Sequence, residues 1–98
     1  MFDRARNPTL TEGYMSTELK VSANSNPTSV AGAISGVIRD GGEAELFAVG
    51  AGAVNQAVKA AAIARRMAGD LICRPDFFEA QINGDTKTGI RISVSTYK

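Results

Sequence analysis

Residues 53–68 run for sixteen positions with seven alanines and neither glycine nor proline, and Gly52 and Gly69 bracket the run. Alanine is the strongest helix former and no breaker interrupts the run, so the spacing predicts a helix there. Val54, Ala57, Val58 and Ala61 give it an inward face. Asn55, Lys59, Ala62 and Arg66, at i, i+4, i+7 and i+11, form an outward polar stripe. Just before it, residues 45–49 (ELFAV) sit between glycine punctuations. They are too few for a helix and rich in strand formers, so they read as a buried strand that Gly50-Ala51-Gly52 terminates.

The same alternation recurs on both sides. Leu19, Val21 and Ala23 alternate with Lys20, Ser22 and Asn24, which predicts a half-buried strand. Asn26 then supplies an N-cap and Pro27 a first helical residue whose missing N–H costs nothing. Val30, Ala33, Ile34, Val37 and Ile38 give the following helix, residues 27–40, its apolar stripe, and Asp40-Gly41-Gly42 its end. After Gly69, residues 71–73 and 77–82 predict a third strand, which Pro75 confines to a sheet edge. Asn83-Gly84-Asp85 is a hairpin signal, and Ile90, Ile92 and Val94 alternating with Arg91, Ser93 and Ser95 predict a fourth strand.

The order is β-α-β-α-β-β. Right-handed crossovers place both helices on one face of a mixed four-stranded sheet, giving an α/β two-layer sandwich. The first three strands run the same way. Both helix N-termini and the last hairpin therefore fall at one pole, with Ser25, Asn26, Thr28, Gly50, Gly52, Asn55, Gln56, Lys59, Asn83, Asp85 and Lys87. Free N–H groups at two helix starts predispose that pole to anions. The opposite pole is expected to collect Asp40, Glu43, Glu45 and Asp70 beside Arg39, Arg65 and Arg66.

Composition narrows the chemistry. Ninety-eight residues, 44% of them hydrophobic, make one domain with material for one core. Residues 1–14 show no apolar period and read as a flexible tail, whether an added leader, an upstream start or a true arm, with the domain at residues 15–98. Eleven Lys and Arg against ten Asp and Glu leave +1, so any nucleic-acid contact must be local. There is no histidine and Cys73 is the lone thiol, which excludes imidazole-based triads, Cys/His zinc sites and disulfide scaffolds. No carboxylates pair for acid–base work. No enzyme, no metal and no cofactor is expected. No stretch approaches the roughly 18 apolar residues of a membrane span, no signal peptide is read, and a cytoplasmic location is expected without membrane contact.

The stretch LKVSANSNPTSVAGAISGVIRDGGEAELFAVGAGAVNQAVKAAAIAR, followed by DLICRP, resembles the stage V sporulation protein S family, with the likeness covering about residues 18 to 96. The strand–SNPTSVAGAI–helix opening and the GAGAVNQAVKA block carry it. That family is Alba-like in fold, and Alba proteins are dimeric chromatin or RNA-binding proteins with the element order derived above. The resemblance implies a small homodimeric DNA- or RNA-binding regulator of sporulation or development in bacteria. Nucleic acid would be gripped by the loop after strand one, the start of helix two and the extended hairpin. Here these are Asn24, Ser25 and Asn26, with Lys20 nearby; Asn55, Gln56 and Lys59; and Asn83, Gly84, Asp85, Thr86 and Lys87. Alba proteins carry basic residues in the first loop where this chain has Asn-Ser-Asn, so affinity is expected to be modest.

Plainer readings stand beside these. Gly50 to Ala53 could cradle a phosphate, making a small-anion or nucleotide sensor, or be a tight turn with close packing. Asn55, Gln56 and Lys59 could be an ordinary solvated helix face. Gly32 and Gly36 read first as permitting close approach within the fold, and second as a dimer seam. Cys73 reads as an inert buried thiol. Phe77 and Phe78 cannot both face the core of a strand, so one is exposed or covered by a partner. A module that binds a regulatory protein and never meets nucleic acid is the main alternative function.

Overall fold

The computed structural model describes residues 16–97, so the tail expected at residues 1–14 lies outside the described residues. The elements are β1 (Ser16–Val21), α1 (Pro27–Arg39), β2 (Glu43–Ala48), α2 (Ala51–Ala68), β3 (Leu71–Ile82) and β4 (Asp85–Thr96). The sheet order is β1-β2-β4-β3, with β1 parallel to β2 and β4 antiparallel to both its neighbours. This is the mixed four-stranded α/β two-layer arrangement of the Alba-like fold, with β3 at an edge as Pro75 requires. An edge strand leaves every second N–H outside the ladder, so proline is accommodated there and β3 runs through it unbroken.

Local chemistry sets the element boundaries. The Asn26 side chain accepts from the backbone N–H of Thr28 at 2.8 Å and of Ser29 at 3.2 Å, and Pro27 opens α1. Gly41, at φ 85°, lets the chain turn out of α1. Gly50, at φ 94°, makes the corner between β2 and α2, a backbone conformation that side chains disfavour. α2 begins at Ala51, two residues before its expected start. β1 ends at Val21 rather than Ala23, because residues 22–25 fold into a turn closed by the Ser25 N–H donating to the Ser22 carbonyl at 3.1 Å.

The core comprises Val21 from β1; Ala31, Ile34 and Ile38 from α1; Ala44, Leu46 and Ala48 from β2; Ala53, Ala57, Ala60 and Ala64 from α2; and Ile92 and Val94 from β4. Two expected faces are corrected. On α1 the buried stripe is Ala31, Ile34, Ser35 and Ile38, with Ala33 exposed. On α2 the fully buried residues are all alanine, Val54 and Ile63 pack against the core half-buried, and Val58, expected inward, is 52% exposed. Small side chains let α2 lie close to its neighbours, while Val58 and Met67 are turned outward.

The reading of Gly32 and Gly36 as close-approach residues within the fold is also overturned: a Cβ built on either meets nothing within 4 Å. Mid-helix glycine costs about 0.5–1 kcal/mol relative to alanine, and here nothing in the fold offsets that cost. Gly32→Ala and Gly36→Ala should therefore each raise stability by about 0.5–1 kcal/mol, read as a melting temperature higher by roughly 4 °C. A fall in melting temperature in either variant would contradict the open geometry.

Candidate nucleic-acid interface

The turn after β1 is built by its own side chains. The Ser22 N–H donates to Ser25 Oγ at 2.9 Å, and the Asn24 N–H donates to Ser22 Oγ at 3.2 Å. Gln56 Nε2 donates to the Ser25 carbonyl at 2.8 Å, tying the turn to α2. A Cβ on Gly52 would come within 2.9 Å of Ala23 Cβ, so the first turn of α2 presses directly on this loop. Ser25, Asn26 and Gln56 thus hold the loop and cap in place, while Asn24, Asn55 and Lys59 present exposed side chains. Gly50 and Gly52 are both accounted for by the corner and the close packing, which is the tight-turn reading of that segment.

Register decides where the other expected residues go. Lys20 pairs with Phe47, and Phe47 with Arg91, on the sheet face away from the helices. Alternation from Arg91 through Gly89 puts Lys87 on that same face. The structure therefore gathers Asn24, Ser25, Asn26, Asn55, Gln56 and Lys59 on the helix side of the pole, and places Lys20 and Lys87 on the other side. Asn83, at φ 52°, and Gly84, at φ 83°, form the hairpin tip.

That hairpin is an arm. The β2–β4 ladder stops at Ala48 and Ile90, so residues 79–88 pair only with each other and project beyond the sheet. The arm's charges are Glu79, Asp85 and Lys87, and Gln81 Nε2 donates across it to Thr86 Oγ1 at 2.6 Å. At its root, Phe78 lies over Gly89 and meets Phe47 edge-on, the ring centroids 4.9 Å apart.

Charge separates by layer. α1 and α2 carry four cations, Arg39, Lys59, Arg65 and Arg66, and no acid. The strands carry six acids and four cations. Several strand charges neutralise one another: Arg91 Nη2 meets Asp76 Oδ2 at 2.6 Å, and Arg74 reaches Glu43 at 3.6 Å. The Arg91 hydrogen bond, then the Phe77 N–H, hold the Asp76 carboxyl below its ordinary range, so this pair persists at neutral pH and is lost only as pH falls through that lowered value. Arg65 pairs with Asp70 at 3.2 Å.

Lys59 and Arg66, by contrast, share an open groove of about 500 Å³ between the helices, lined also by Pro27, Thr28, Ala62 and Ile63. Among the described residues neither forms an ion pair. Arg66, expected at the opposite pole, belongs with Lys59. The shared stripe at i and i+7 carried that signal, and assigning charges to poles obscured it.

The second exposed feature is apolar. Register places Cys73, Pro75 and Phe77 on the helix-side face of β3, beyond the reach of the helices; Phe77 is 72% exposed. Phe78 is packed and Phe77 is open, as the strand alternation required. Cys73 is exposed, not buried as expected; partial desolvation still pushes its thiol up, and the Arg65 charge pulls the other way. Arg65, in the last turn of α2, is thus within electrostatic reach of Cys73. Among the described residues no Cys, Asp and Glu cluster could hold a metal ion, and no helix is long and apolar enough to cross a membrane.

The model of the stage V sporulation protein S family matches residues 17–97, and the chain belongs to that family. Membership ties it to a sporulation-related role.

Proposed function

We propose that this member of the stage V sporulation protein S family acts as a small homodimeric nucleic-acid-binding regulator. The observation that carries the reading is the acid-free helix layer, on which Arg39, Lys59 and Arg66 stand without an ion pair among the described residues while Arg65 is paired with Asp70, in a protein whose net charge is only +1. The helices lie on one face of the sheet, so a polyanion approaching them meets cations first, while the strand acids lie farther off and are weakened by salt. The first loop has no cation, which keeps affinity modest. The exposed apolar row of Cys73, Pro75 and Phe77, with Val58 exposed on α2, supports the homodimer, because a second copy would cover it and set two cationic helix layers side by side.

Titrating a short duplex, as DNA and as RNA, against salt tests the reading. The logarithm of the association constant should fall linearly with the logarithm of salt concentration, with a slope of about −0.9 per phosphate contacted on duplex DNA. Absence of binding to either duplex at low salt would leave the regulatory-protein module as the better reading, for which the exposed Phe77 and Val58 supply the contact. The fold gives the anion-sensor reading no separate support, since packing accounts for both glycines of its turn.

A further inference from the structure

We propose that the groove between α1 and α2, flanked by Lys59 and Arg66, is where the sugar-phosphate backbone of a duplex docks, and that the hairpin arm is not the main contact. The inference rests on the nucleic-acid reading above and assigns it a surface. The two cations stand two helical turns apart on one stripe, about 10.5 Å along the axis, far enough for each to meet a different phosphate of one duplex strand. Ala62 and Ile63 lie between them, Thr28 brings one hydroxyl to the groove, and among the described residues neither cation is paired with an acid. The α1 side is equally bare: Gly32 and Gly36 continue the Thr28 stripe at i+4 and i+8, and a Cβ on either would touch nothing.

The arm has the opposite character. Glu79 and Asp85 outweigh Lys87, so it meets phosphates with a net negative charge. A second copy covering Val58 leaves the groove open, because Val58 and the stripe of Lys59 and Arg66 differ by about 100° around α2. A second copy and a duplex can therefore engage the same helix at once.

Three variants separate the outcomes, each removing charge without adding any: Lys59→Gln with Arg66→Gln, Arg65→Gln, and Lys87→Gln. The probe is one duplex of about twenty base pairs, made as DNA and as RNA. The groove predicts that the Lys59/Arg66 pair loses at least tenfold in affinity and that its DNA salt slope becomes shallower by about 0.9 for each lost contact. Arg65→Gln and Lys87→Gln should stay within about twofold of the parent, with all melting temperatures unchanged. If Lys87→Gln causes the loss while the Lys59/Arg66 pair does not, the arm is the contact and the groove assignment is wrong, with nucleic-acid binding intact. If Arg65→Gln loses as much as the pair, binding follows overall charge and the groove has no special part. A parent that binds neither duplex overturns the groove and the function together.

Discussion

Gly89→Ala should cost the fold about 3 kcal/mol, the upper end of what overpacking one methyl group does. A Cβ at that position would stand 2.6 Å from the Ala48 carbonyl oxygen and 2.5 and 2.8 Å from two atoms of the Phe78 ring. The ring could swing aside, but the oxygen belongs to the backbone of a central strand paired on both edges. The site is also where the arm leaves the sheet, and Phe78 lying across Gly89 is what meets Phe47 there. Denaturant midpoints of the single variant, of Phe78→Ala and of the double variant separate the two clashes. Removing the ring should recover part of the Gly89→Ala cost and leave the part due to the oxygen, so the two changes will not add. Full recovery would show that the ring alone forbids a side chain, and no loss in the single variant would contradict the packing at the arm's root.

Phe77→Glu should weaken the homodimer by about 100-fold or more and barely change the stability of the monomer. A large exposed aromatic side chain in an apolar row is the kind of residue whose truncation costs an interface about 2 kcal/mol or more, and a buried carboxylate adds its own desolvation. In the monomer the same side chain is already 72% exposed, so the substitution stays within about 0.5 kcal/mol there. Cys73 lies two register steps along the same row and gives an independent reporter. Maleimide labelling of Cys73 in the parent should slow as protein concentration rises, and in Phe77→Glu it should not. A dimer that survives Phe77→Glu must use another surface.

Where the chemistry is local, the sequence was a sufficient guide. Asn26-Pro27 capped a helix, Asn83-Gly84 made a hairpin, and the order of six elements followed from glycine and proline punctuation. What escaped depends on neighbours distant in the chain. Residues 85–88 are polar with no apolar period, yet they are strand, because an arm wet on both faces has no buried side to mark. Val58 looked like core since valine outranks alanine in burial, but an alanine face fits close packing and turned Val58 outward. The same is true of the candidate site. That Lys59 and the Asn24-to-Asn26 loop share the helix side of one pole follows from their place in the chain. The opposite-face placement of Lys20 and Lys87 follows from pairing register, and the charge separation between layers, which gives Arg66 its importance, follows from which elements stack on which.

Sedimentation velocity of the full chain with a labelled short duplex, at low and at high salt, tests the homodimeric nucleic-acid binder most directly. The expected result is a dimer when the protein is alone at tens of micromolar, a duplex that sediments faster with protein in about 50 mM salt, and release of that duplex at several hundred millimolar as counterions compete. A monomer that leaves the duplex boundary unshifted in low salt would contradict both the dimer and the binding.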